Sequence, residues 1–144
     1  MNRELIKFFF DEASKAFAFL VNEHYFGAAQ MDVDRKINFA TVTFLGRNLA
    51  IECIIDEREG DVTCKIARVI DGRKTAYYSV DDKGTRVREA LSSILKRRDV
   101  RGRLLTSVGG LDFREQIKIT LADFARMLRE YGQQILDDSS AALD

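Results

Sequence analysis

The stretch Leu49-Ala-Ile-Glu-Cys-Ile-Ile-Asp56, the turn around Glu59-Gly60-Asp61, and the run Val62-Thr-Cys-Lys-Ile-Ala-Arg-Val-Ile70 decide the fold. Both flanks of the turn alternate and are rich in β-branched residues, which is the pattern of a β-hairpin. Side chains in a strand repeat every two residues, and a loop of even length pairs odd positions with even ones. Leu49, Ile51, Cys53 and Ile55 should therefore share one face with Val62, Cys64, Ile66 and Ile70. Both cysteines are placed on the core side.

The same parity extends in both directions. A two-residue turn within Gly46-Arg47-Asn48 puts Ala40, Val42 and Phe44 on the inner face. Downstream, Asp71-Gly72 is a strong hairpin signal, because both positions tolerate positive φ. It would set Thr75, Tyr77 and Ser79 opposite Arg68, Ile66 and Cys64. The outer face then carries Thr41, Thr43, Glu52, Asp56, Thr63, Lys65 and Tyr78, with Asn38 at its margin and Ile54 as an apolar exception.

Helical sequence brackets this region. Over residues 4–25, Ile6, Phe9, Phe10, Ala13, Ala16, Phe17, Leu20, Val21 and His24 recur at the 3.6 period, with Asn2 as a cap and Gly27 as a stop. Leu5, Phe8 and Phe19 lie off that stripe; Phe8 and Phe19 either tuck under the loop of residues 27–36 or the final helix, or form a homodimer contact. Residues 30–36 read as a polar linker. After a turn at Asp81-Asp82-Lys83-Gly84, Thr85 is placed to cap a helix whose stripe is Val87, Ala90, Leu91, Ile94 and Leu95. Residues 113–119 alternate enough to suggest a short strand or irregular segment. A last helix should start at the box-like Thr120-Leu-Ala-Asp123 and carry Leu121, Phe124, Ala125, Leu128, Tyr131 and Ile135 as its apolar stripe.

One apolar and one polar sheet face, with helices before and after, predict an α+β, two-layer architecture. About four antiparallel strands carry about three helices on one side, in the order α-β-β-β-β-α-α. A chain of 144 residues is one domain by size, set here at 1–136 with a tail at 137–144.

Lys plus Arg equal Asp plus Glu at 23 each, so no global field directs the chain to nucleic acid or an anionic membrane, and recognition has to be local. Neither a leader nor a long apolar run stands out, which points to the cytoplasm. Cys53 and Cys64 are too few for a zinc site and form no C-x-x-C pair. Asp32-Val-Asp34 starts like a calcium loop without its glycine, and Gly109-Gly110 lacks the rest of a phosphate loop. The single histidine, His24, falls on a buried helix stripe with no motif partner, so no catalytic residue, metal or cofactor is expected.

Two charged clusters remain. Asp56, Glu57, Glu59 and Asp61 sit at the hairpin tip and suit a basic partner. Lys96, Arg97, Arg98, Arg101 and Arg103 follow a helix C-terminus, where cations complement the macrodipole, and form the alternative contact for an anionic ligand. Without interleaved aromatics the basic cluster makes nucleic acid an unlikely partner.

The run Phe17-Ala-Phe-Leu-Val-Asn-Glu-His-Tyr-Phe26, with the alternating strand and hairpin that follow, resembles small bacterial proteins of toxin-immunity type. That resemblance implies a protein partner and supplies no catalytic residues. The order of elements is also similar to that of type III secretion chaperones, small dimeric binders of effector proteins, from which the chain departs in carrying no net charge. The expectation is a non-catalytic protein-binding module with a candidate homodimer contact, and a secretion-chaperone-like binder and a nucleic-acid-associated factor as alternatives.

Overall fold

In the computed structural model the described residues are 1–75, 80, 82–84, 86–97 and 110–137. The chain is α+β. Helices α1 (Arg3–Ala16) and α2 (Ala18–Glu23) precede strands β1 (Gln30–Asp34), β2 (Phe39–Leu45), β3 (Leu49–Asp56), β4 (Asp61–Ile70), β5 (Arg73–Lys74) and β6 (Arg88–Ala90). Helices α3 (Leu91–Arg97), α4 (Phe113–Tyr131) and α5 (Gln133–Asp137) follow.

The sheet is antiparallel, in the order β1-β2-β3-β4-β5, with β6 also on β4. It holds six strands where about four were expected. The central hairpin has the predicted register, with Cys53 opposite Cys64 and Ile51 opposite Ile66. Gly60 takes a left-handed φ of +69° in its turn, which an L side chain would resist. Asp71 and Gly72 both have positive φ, as a two-residue hairpin turn requires, and Ile70 pairs with Arg73.

Thr75 N donates to Arg68 O at 2.9 Å, as anticipated, and Ile66 pairs with Glu89 of β6. Tyr77, Tyr78 and Ser79 lie outside the described residues. β5 and β6 lie in line along one edge of β4, so they act as one interrupted edge strand. This pairing also overrides the helix expected from Thr85: residues Arg88–Ala90 are strand, and the helix begins at Leu91. Thr85 itself is outside the described residues.

Two other segments differ from expectation. Residues 30–34 are an edge strand, not linker, with Met31 opposite Val42 and Val33 opposite Ala40. Residues 113–119 are the first two turns of α4, capped by Asp112, whose Oδ1 accepts from Glu115 N at 2.9 Å. Thr120 is therefore a buried mid-helix residue and not a cap.

Asn2 caps α1 as expected, its Oδ1 accepting from Leu5 N at 2.7 Å. The long first helix is broken at Phe17, whose φ of −103° and ψ of 16° leave the helical region. It ends at Glu23, followed by Tyr25 in the left-handed region, ahead of the stop expected at Gly27. The buried face is Leu5, Phe9, Ala13, Phe17, Phe19 and Leu20. Ile6, Phe10 and Val21 are only half-buried. The helix is thus rotated about its axis, and the flank left uncovered lies opposite the one that the sequence pattern suggests.

α4 runs parallel to α1 on the inner face of the sheet. Arg114 meets Glu4 at 3.6 Å near one end, and Arg129 meets Glu23 at 3.2 Å near the other. Phe17 and Phe44, with ring centroids 5.7 Å apart, join helix to sheet. One apolar cluster draws on residues from Leu5 to Ile135 and contains both cysteines.

Candidate binding surfaces on the outer face of the sheet

Helices pack on the inner face, so binding chemistry has to be sought on the outer face and at its edges. Register defines that face row by row. Asp34, Phe39, Asp56 and Asp61 form one row across β1, β2, β3 and β4. Asp32, Thr41, Ile54 and Thr63 form the next on the same face. Four carboxylates thus surround the half-buried Phe39 and Ile54 beside the hairpin tip, where Glu57 and Glu59 are exposed.

The tip is held locally. Asp56 Oδ1 accepts from Glu59 N at 3.2 Å, and Gln116 Nε2 donates to Gly60 O at 3.2 Å, which ties the turn to α4. Asp34 Oδ1 accepts from Lys36 N at 3.0 Å. Each carboxylate retains free acceptor sites, which suits guanidinium or ammonium donors from another molecule. Among the described residues no three acidic, histidine or cysteine side chains converge to hold a metal ion.

The other end of the outer face is cationic and built differently. Ala50 lies opposite Ala67, both fully buried. Glu52, the next residue of β3 on the same face, is 2% exposed and accepts from Arg88 Nε at 2.7 Å, Arg88 Nη2 at 3.3 Å and Lys74 Nζ at 2.9 Å. Lys74 Nζ also donates to Thr43 Oγ1 at 3.0 Å, and Arg88 Nη2 to Thr75 O at 3.0 Å. Lys65, Arg86, Arg88, Glu89 and Ser93 line an open hollow of about 530 Å³. Arg86 is paired to Glu89 at 3.1 Å.

The chain is neutral overall, yet its outer face is polarised, with carboxylates in the two rows near the tip and Lys65, Lys74 and Arg88 in the rows beyond. The sequence placed Asp56 and Glu52 on this face and missed that β1 adds Asp32 and Asp34 to the acidic group. It also missed that Glu52 is buried. The alanine pair on an otherwise polar face was the available signal.

The remaining sequence candidates are distributed as follows. Phe8 packs beneath the Arg114 guanidinium at 5.5 Å and Phe19 beneath that of Arg129 at 5.4 Å. Phe19 is buried, so α4 covers most of the flank that sequence left open for a dimer. His24 sits edge-on to Phe19 at 6.0 Å. Lys96 is exposed on the last turn of α3 and Arg97 ends that helix, while Arg98, Arg101 and Arg103 lie outside the described residues, as does the tail from 138. Cys53 and Cys64 are free and buried. Burial pushes the Cys53 thiol well above its usual range, and a hydrogen bond with the Cys64 thiol adds to the shift, so Cys53 stays protonated and is a poor nucleophile.

Among the described residues no helix is long and apolar enough to cross a membrane. No family model matches the chain, and neither a curated protein nor a solved structure matches it.

Proposed function

We propose that the chain is a non-catalytic protein-binding module that engages a basic surface of its partner through the acidic corner, in the manner of an immunity-like inhibitor. The observation that carries this reading is the row Asp34, Phe39, Asp56 and Asp61, which sets three carboxylates around an aromatic ring on the face that the helices leave free. An apolar centre with a charged rim is the usual anatomy of a protein contact. Two local contacts fit the same reading: His24 sits edge-on to Phe19, and the Cys53 thiol is buried with its pKa raised.

The test starts with a partner identified by affinity capture from the native cell and purified. Reversing Asp56, Glu57, Glu59 and Asp61 to lysine should weaken its binding by roughly ten-fold or more, mainly through association, with the wild-type affinity falling as salt rises. Unchanged affinity in the reversed variant overturns the acidic-corner reading.

A further inference from the structure

The acidic corner ends at β1, which among the described residues pairs only with β2 and forms a sheet edge. Backbone hydrogen bonds fix which way its groups point. Glu57 N donates to Asn38 O, and Gly46 N to Leu49 O, so even-numbered residues of β2 bond to β3. Thr43, Thr41 and Phe39 therefore bond to Gln30, Asp32 and Asp34, their register partners. The N–H and C=O groups of Met31 and Val33 are left facing outward, and none has a partner among the described residues.

Above this edge hangs the uncovered flank of the first two helices. Arg3, Ile6, Lys7 and Phe10 of α1, with Met31 and Val33, line a hollow of about 430 Å³. Phe10 also lines a second hollow of about 300 Å³, which continues past Ser14, Ala18 and Val21 to Ala29. Ser14 Oγ is buried and has no hydrogen-bond partner among the described residues, an orphan polar atom in the wall of the groove between its charged Arg3 and Lys7 end and Val21. From Ile6 to Ala16, where α1 ends, the groove is about 15 Å long at the helical rise of ~1.5 Å per residue, and it continues beside α2. The α1 part alone is the length of a strand of roughly four to five residues.

We propose that this edge takes an extended segment of a protein partner as an added strand, apolar side chains alternating inward beneath Ile6 and Phe10 with basic side chains outward beside Asp32 and Asp34. Main-chain bonds to Met31 and Val33 supply the pairing, and the apolar positions fill the groove. Charge sets the register. A basic residue turned inward meets Arg3 and Lys7, whereas one turned outward meets Asp32 and Asp34, so a one-residue slip reverses attraction to repulsion. A second copy of this chain is a worse occupant, because β1 paired with itself about Asp32 sets aspartate against aspartate. The edge is separate from the hairpin tip, and its occupancy does not depend on Glu57 or Glu59.

The probe is a capped peptide of alternating lysine and valine, added to the isotope-labelled full chain and followed by residue-resolved amide exchange. Without peptide, the Met31 and Val33 amides exchange freely while Asp32 is protected by β2. With saturating peptide, exchange at Met31 and Val33 slows about ten-fold or more, as one new hydrogen bond of ~1.4 kcal/mol requires. Met31→Pro removes an outward N–H without touching the ladder to β2 and should weaken the peptide about ten-fold. Glu57→Lys with Glu59→Lys should leave the peptide bound as before, which separates this site from the tip. Three results overturn the proposal: no change in Met31 and Val33 exchange at saturation, tighter binding of a glutamate–valine peptide, or protection of these amides that grows with protein concentration in the absence of peptide. Exchange in the wild-type chain decides the matter even if Met31→Pro fails to fold.

Discussion

Replacing Glu52 with glutamine keeps the side chain's shape and removes its charge, and the structure makes the cost calculable. Glu52 is 2% exposed, and its main partner Arg88 is 5% exposed, so the variant takes a buried carboxylate away from a buried guanidinium. Stranding one member of a buried pair costs about 3–5 kcal/mol. The bond from Arg88 Nη2 to Thr75 O at 3.0 Å survives, which sets the expectation at the lower end, about 3 kcal/mol. Lys74 is 31% exposed and can turn to solvent, so Lys74→Met should cost no more than about 1 kcal/mol. Removing both buried charges together, as Glu52→Leu with Arg88→Met, should return stability to within about 1–2 kcal/mol of wild type, because neither partner is stranded. Urea unfolding followed by circular dichroism measures all of these. With a slope of ~2 kcal/mol per molar urea, Glu52→Gln should lower the midpoint by about 1.5 M. A shift below ~0.5 M, or a double variant less stable than Glu52→Gln, would refute the view that a desolvated ion pair organises this face.

Three further outcomes follow from local geometry. A Cβ on Gly46 would lie 2.7 Å from Leu49 O and 2.8 Å from the Phe26 ring, so Gly46→Ala should destabilise by about 1–3 kcal/mol, read as a lower thermal midpoint. Tyr25 has φ of +61° and is 96% exposed, so Tyr25→Gly loses no packing, relieves left-handed strain and should stabilise by about 0.5–1 kcal/mol in the same melt. The Cys53 thiol is raised in the folded chain, chiefly by burial, so its contribution is complete below the unfolded thiol pKa of about 8.5 and is lost as pH rises above it, where only the unfolded chain ionises. Stability should fall above about pH 8.5, and Cys53→Ala should flatten that limb when midpoints are compared across pH.

The hairpin was legible because everything in it agrees: alternation, β-branched residues, and glycine where φ must be positive. The strand Gln30–Asp34 carries the same alternation, Met31 and Val33 between the polar Gln30, Asp32 and Asp34, but a short edge strand buries only one half of one face and looks like linker by composition. α4 announced itself by Asp112 and Glu115 in capping-box spacing and by Phe113, Ile117, Leu121 and Phe124 at helical spacing. The local alternation around Lys118 hid that longer period. At Arg88–Ala90 local pattern favoured helix, and the unpaired edge of β4 favoured strand; the tertiary pairing won. The rotation of α1 could not be read at all, since the eleven apolar positions named over six turns allow more than one buried face. What fixes it is α4, whose arginines cover Phe8 and Phe19 and leave Ile6 and Phe10 above β1.

The acidic corner was half legible. Tip carboxylates are adjacent in sequence, whereas Asp32 and Asp34 join them only through register across two strands. The most direct test of the protein-binding account is a residue-resolved chemical-shift map of the full chain titrated with its purified partner. The account predicts that the perturbed amides cluster at Asp32, Asp34, Phe39, Ile54, Asp56 and Asp61. A map centred instead on Lys65, Arg86 and Ser93, at the cationic end of the same face, would contradict it.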